Sequence, residues 1–410
     1  MYGTRNLEMK NIFLVMACVI CALLCGCSSK SSSNITFDYQ SAEVMLSVIE
    51  AIHEDAGIET IEGLLDTALQ MDAYQIAGER YTRPGRSVAN QVTLDEYKKF
   101  ILSFNGESVD TQGKQRLGFM KDLYQDAIDN PQKYKRALSN LKAIKASEVQ
   151  EAMDIANHWL PIEIEMQTTA LMIFDLGGGG WQYKTIDGRQ IIAFNILVML
   201  DKDDNFDKDI FLATLAHELN HVGIPVKDYY EKINYDALAD TSQLKLYTDF
   251  VKSLIVEGMA QKFCTNAPNK FTVKPYPDKK FSVIEQGRKD WNYFTAEFSD
   301  IHKRAINDMT MIAHNVVDDP DAFNRSFRNY WTWNAGALEG KSYVQGRRYY
   351  YGSELLGVIN EGLGREALFE VIYDFRKLLP LFNKGLKELK PEGYKQFLFP
   401  VDLIQNIAEL

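Results

Sequence analysis

The sequence predicts an α+β chain, predominantly helical, with a small antiparallel sheet near its middle. Three observations carry this. Apolar residues recur at three- and four-residue spacing through most of residues 36–160 and again from Leu244 onward. Between these stretches, from Pro161, the pattern changes to alternation in IEIEMQTTALMIF, which is rich in strand-favouring residues. A chain of 410 residues, 46% hydrophobic and 25% charged, can also bury a full globular core, in one large domain or two smaller ones.

The chain opens on a processing segment. Arg5 and Lys10 precede an apolar run at residues 12–24, too short to cross a bilayer comfortably and built like the core of a signal peptide. It ends in Leu24-Cys25-Gly26-Cys27, followed by SSKSSSN. This resembles the lipobox of bacterial lipoproteins, which implies removal of residues 1–26, lipidation of Cys27 and a Ser-rich tether over residues 27–35. An ordinary secretory signal or an uncleaved anchor is the alternative. Processing would remove Arg5, Lys10 and Glu8, one net positive charge, and so take the formal charge from −11 to −12. Cys264 would be the only unmodified cysteine, leaving no internal disulfide, so the exported fold must stand on its core. The acidic balance argues against nucleic acid and acidic membrane surfaces as electrostatic partners.

Helices are expected over SAEVMLSVIEAIHED, IEGLLDTALQMDAYQIAGER and LDEYKKFILSF, and along residues 113–160 with a break at Asn130-Pro131. Residues 36–160 thus read as a helical N-terminal region and residues 161–410 as a mixed second region. No internal repeat stands out. In the second region, glycines 177–180 are either a permissive turn or a flap beside a cleft; no Gly-Lys-Ser/Thr follows to make a phosphate loop. WQYKTIDGRQ then leads into IIAFNILVML, completing the expected sheet. The acidic DKDDNFDKD opens like a calcium loop at Asp201, Asp203 and Asn205, but Phe206 replaces the required Gly and Leu212 the closing Glu. It reads better as a solvated loop whose Asp207 and Asp209 suit the start of the next helix, FLATLAHELNHVG.

That helix contains TLAHELNH. Residues four apart differ by about 400° around a helix axis, hence about 40° from eclipsed, and about 6 Å along it. His217 and His221 can therefore aim both imidazoles at one ion, with Glu218 beside it. Zinc suits two imidazoles, a third protein ligand and a water whose pKa it lowers to about 7. Glu218 could accept that water's proton and pass it to a leaving amine. The alternative is a core helix with two chance histidines, although the chain has only six. For the third ligand, a metzincin would need histidine at position 227, where Lys227 stands, and glycine at 224, where Ile224 stands. Glu257 lies 36 residues beyond His221, among Leu254, Ile255, Val256 and Met259, where an unpaired carboxylate would be costly to bury. Gly258 and Ala260 would let its helix approach another backbone closely. A solvent-facing glutamate is the alternative.

HELNH, then Glu257 in a Glu-Gly-x-Ala context, then Tyr349-Tyr-Tyr-Gly352 opening a later helix, resembles the gluzincin-type zinc peptidases, in particular poorly characterised bacterial lipoprotein families with this order of motifs. The resemblance spans roughly residues 160–365. It implies a thermolysin-like zincin core and one Zn2+ per chain held by His217, His221 and Glu257. It also implies a peptide or protein substrate laid along a sheet edge, for which IIAFNILVML is the candidate. In thermolysin-like members an Asp four residues after the glutamate ligand supports a histidine; here that position is Gln261. A donor for the developing oxyanion is also required, and Tyr349 or Tyr350 could supply it. Tyr349, Gly352, Leu356 and Ile359 share one helical face, and plain aromatic packing is the alternative. His302 and His314 are other donors, with His314 in MIAHNVV reading as a core histidine. Arg347 and Arg348 read as surface charge, or else as a grip on a substrate carboxylate. Cys264 reads as a buried apolar residue. The function expected is a zinc peptidase anchored to the bacterial cell envelope. The competing reading is a non-catalytic envelope binding or scaffold lipoprotein. An intact Glu218 weighs against it, because metal binding alone does not need that residue.

Overall fold

The computed structural model describes residues 34–83, 91–106, 108–161, 166–200, 205–224, 238–239, 242–265, 269–272, 285–317, 319–332 and 346–410. The signal segment, Cys27, Asp201 and Asp203 lie outside the described residues.

The first element is a strand, β1 (Asn34–Asp38), where helix was expected from residue 36. Ile35, Thr36 and Phe37 favour extended backbone, and Asp38 then starts the first helix from outside it. Its carboxylate accepts from Gln40 N at 2.9 Å and the Ser41 hydroxyl at 3.1 Å. Helix α1 (Gln40–His53) follows. The single helix expected over residues 61–80 is two, α2 (Ile58–Gln70) and α3 (Asp72–Thr82), because Met71 between them is extended at φ −69°, ψ 145°. A capping box of Thr93 and Glu96 begins α4 (Leu94–Leu102) and contributes about 1 kcal/mol. The expected break at Asn130 separates α5 (Gln115–Asp129) from α6 (Pro131–Lys142), with Pro131 at a first-turn position where its missing N–H costs nothing. α7 (Ala146–His158) completes the N-terminal helices.

The sheet adds β2 (Gln167–Ile173), β3 (Gly180–Lys184) and β4 (Gln190–Asn195), in the order β1-β2-β4-β3. It is mixed, not antiparallel. β4 runs parallel to β2, with Ala170 opposite Ile192, and antiparallel to β3, with Trp181 opposite Ala193. The apolar run of β4 explains this: Ile191 to Asn195 are all buried, which requires a paired strand on each side and cover on both faces. β3 alternates buried Trp181 with partly exposed neighbours and takes the edge. IIAFNILVML also stops being a strand at Asn195. That side chain's Oδ1 accepts from Leu197 N at 3.2 Å and Asp175 N at 3.1 Å, turning residues 196–198 into a 3-10 turn.

Helix α8 (Lys208–Gly223) starts at Asp207, whose carboxylate accepts from Ile210 N at 3.0 Å. It packs on β3 and β4, with the Phe211 ring 5.0 Å from that of Phe194. After α9 (Gln243–Met259), a π-helical turn covers Ala260–Cys264. α10 (Glu285–Ala296), α11 (Phe298–Ala313) and α12 (Pro320–Phe327) lead to α13 (Arg347–Leu363), and α14 (Arg365–Tyr373), α15 (Leu378–Leu389) and α16 (Val401–Ala408) close the chain. α9 and α13 touch backbone to backbone. A Cβ on Gly258 would lie 2.4 Å from Gly352 C, and one on Gly352 2.0 Å from Leu254 O. This crossing brings the residues beside Gly258 against the first turn of α13. The N-terminal helices share one core with the rest, and Tyr97 seals the join by donating to the carbonyl of Phe174 at 2.9 Å.

Candidate metal centre and active site

Sequence spacing puts His217 and His221 on one face of α8, and the α8–α9 packing brings Glu257 to them. Glu257 Oε2 lies 3.2 Å from His221 Nε2 and 3.6 Å from His217 Nε2. The two imidazole rings stand nearly perpendicular, 4.5 Å apart. With metal–ligand bonds of about 2.0–2.1 Å at tetrahedral angles, neighbouring ligand atoms sit about 3.3 Å from each other, so the observed separations fit one zinc ion. The chemistry of the donors agrees. Oε2 is buried and accepts no hydrogen bond, a costly condition for a carboxylate that a cation between the three atoms would remove. Among the described residues, these three offer ligand atoms within 4.8 Å of one another.

Burial by itself would raise the Glu257 carboxyl, but Arg348 and the two imidazoles outweigh it and hold the group well below the usual carboxylate range. Arg348 Nη2 is 2.9 Å from the other oxygen, Oε1. Arg348 reads from the sequence as surface charge or a grip on a carboxylate; the glycine crossing of α9 and α13 instead sets it against Glu257, with its side chain 22% exposed. Arg347 is buried, its guanidinium 4.3 Å above the Tyr330 ring. Neither position can be recognised from the local sequence, because both depend on how α13 is rotated against its neighbours.

Glu218 is 5% exposed and lies against the edge strand at Gly180. A Cβ on Gly180 would come within 3.0 Å of Glu218 Oε1 and 2.9 Å of Thr214 Cγ2, so only glycine lets β3 lie this close to α8. Burial pushes the Glu218 carboxyl up to about 7, with Glu257 adding to the rise and His217 and Arg80 opposing it. A carboxyl poised there can both accept and release a proton near neutral pH.

The edge strand beside Glu218 is therefore β3, correcting the expectation of IIAFNILVML, whose β4 is paired on both sides. The glycine turn that feeds β3 is held firmly. Asp175 accepts from Tyr81 at 2.7 Å and from Trp181 Nε1 at 2.6 Å, while Asn195 Nδ2 donates to the Gly177 carbonyl at 3.0 Å. A Cβ on Gly177 would meet Asp175 Oδ2 and the Tyr81 hydroxyl, each at 2.9 Å. The Arg80 guanidinium lies 4.5 Å from the Trp181 ring centroid. This network joins α3 of the N-terminal region to the glycine turn and β3, and no short motif announces it.

Tyr349 stacks on His217, with ring centroids 6.5 Å apart and planes 19° from parallel, and its hydroxyl accepts from Arg348 Nη2 at 3.3 Å. Tyr350 turns away. Successive helix residues diverge by about 100°, and Tyr350 is fully buried between Trp291 and Phe294, donating to Thr295 Oγ1 at 3.0 Å. His302 also lies in the aromatic core, bonded to the Tyr351 hydroxyl at 2.8 Å, where burial pushes it down to about 4. His314, expected in the core, is exposed and bonds Asn406 at 2.9 Å. α11 ends at Ala313, and the left-handed Asn315 (φ 53°) turns the chain outward there. Cys264 is buried, as its apolar reading predicts.

Residues 65–390 match the model of a family described as "Putative zinc dependent peptidase (DUF5700)". The chain belongs to this family. The match begins within α2 and ends just past α15, so most of the N-terminal helices are part of the family's domain. The motif resemblance, confined to roughly residues 160–365, did not reach them, since ordinary amphipathic helices carry no spacing that marks one family. No curated protein and no solved structure matches the chain. Membership assigns the chain to a zinc peptidase family and fits the donor set around Glu257 Oε2.

Proposed function

We propose that the chain is a single-zinc peptidase of the gluzincin kind, carried on the bacterial cell envelope by a lipid on Cys27. The observation that carries this is the buried Glu257 Oε2 facing both imidazoles, with Glu218 one residue from His217 and packed against β3 at Gly180. His217, His221 and Glu257 would hold the metal. When bound, zinc supplies a Lewis acid and lowers the pKa of water to about 7. Glu218 takes the proton of the attacking water and delivers it to the leaving nitrogen. The outer edge of β3 among the described residues accepts the peptide backbone as an added antiparallel strand, as in a thermolysin-like core. Tyr349, stacked on His217, offers its hydroxyl to the developing oxyanion.

Purified protein loaded under zinc-replete conditions is expected to retain about one zinc per chain, the site having a single set of three ligands. Glu257→Ala is expected to lose it. A wild-type protein without metal, by elemental analysis, would sink the proposal. The anchor is tested separately: Cys27→Ser should move the protein from the membrane to the soluble fraction, and an unchanged distribution counts against lipidation.

A further inference from the structure

The two oxygens of Glu257 face different partners. Oε2 lies between the imidazoles, while Oε1 accepts from Arg348 Nη2 at 2.9 Å. Arg348 is itself fixed from two sides. Its Nη1 donates to Ser253 Oγ at 3.3 Å, one turn before Glu257 on α9. Its Nη2 also reaches the Tyr349 hydroxyl at 3.3 Å, and the guanidinium lies 5.0 Å from the Tyr349 ring centroid. The backbone contact of Gly258 with Gly352 sets the distance between the helices that carry the two partners.

A positive charge beside a dication opposes its binding, so metal affinity does not account for an arginine here. Geometry does. A carboxylate free at both oxygens can attach to a metal through one or through both. Attachment through both would occupy the position that a catalytic zinc site keeps open. We propose that Arg348 is a positioning residue: by engaging Oε1 it restricts Glu257 to attachment through Oε2 and so preserves an open position for water and substrate. The inference rests on the reading of His217, His221 and Glu257 as metal ligands.

The test uses the full chain loaded with Co2+, whose visible absorption is stronger in four-coordinate than in five- or six-coordinate sites. Wild type is expected to give the strong four-coordinate spectrum. Arg348→Met should lower its absorptivity by about two-fold or more as Glu257 turns both oxygens to the ion. In a Glu257→Gln background, where the amide offers one oxygen, Arg348→Met should leave the spectrum unchanged. Arg348→Lys, which retains a donor for Oε1, should restore most of the wild-type intensity, and it carries the test if the Met variant does not fold: a Lys spectrum as weak as five-coordinate cobalt overturns the inference. So does an unchanged Arg348→Met spectrum, an equal drop in the Glu257→Gln background, or a wild-type spectrum already five-coordinate. Wild-type protein that takes up no cobalt overturns the metal-site reading itself, a different and separable result.

Discussion

Glu218→Gln is expected to lower kcat/KM on a peptide substrate by about 10^3-fold or more while leaving the zinc content unchanged. The substitution keeps the shape that packs against Gly180 and Thr214 and removes only the ability to accept a proton. Glu218 is 5% exposed, so its carboxylate carries a desolvation cost that the neutral amide avoids, and the variant should fold at least as stably as wild type. Three measurements on one preparation separate the possibilities: turnover of a peptide, zinc per chain, and thermal midpoint. Full activity in the variant would remove Glu218 from the proton transfers. Loss of zinc together with activity would instead make the residue part of the metal's support.

Gly352→Ala is expected to destabilise the fold by about 3 kcal/mol or more, because its Cβ would fall 2.0 Å from Leu254 O, a backbone atom that no rotamer change can move. The helices α9 and α13 would have to separate, lowering the thermal midpoint by roughly 4 °C or more. Zinc binding should weaken with stability, since Glu257 adjoins Gly258 on one helix and Arg348 lies one turn before Gly352 on the other. Gly63→Ala is the matched control. It sits on the exposed side of α2 with nothing within 4 Å of its Cβ, and alanine there should be neutral or stabilising by up to about 1 kcal/mol. If both substitutions proved harmless in a thermal scan, the helix crossing described above would be wrong.

The chemistry of this protein is unevenly legible in its sequence. The spacing of His217 and His221 specifies a shared helical face before any tertiary contact exists, because the helix repeat alone determines it. The break at Asn130-Pro131 and the helix start at Asp207 are local in the same way: proline excludes one backbone region, and a carboxylate satisfies free N–H groups. Glu257 was a plausible third partner from composition, since a carboxylate among apolar neighbours needs something to meet. The direction it faces could not be read.

Local pattern and structure part where non-local pairing competes. IIAFNILVML reads as a substrate-binding edge because it is a good strand, but a run that apolar is stable only in the middle of a sheet, and β3 takes the edge. Tyr349 and Tyr350 are equivalent by type; a rotation of about 100° sends one to His217 and the other into the core. Arg348 is the clearest case. In sequence it is one of two adjacent arginines, with nothing to distinguish it from surface charge. By itself the sequence determined the shared face of the two histidines, the carboxyl between them and the predominantly helical class, all consequences of spacing along one chain. Only the tertiary structure decided which strand borders the site, which tyrosine faces it and which cation meets Glu257, because each depends on two segments far apart in sequence packing at one distance and one rotation.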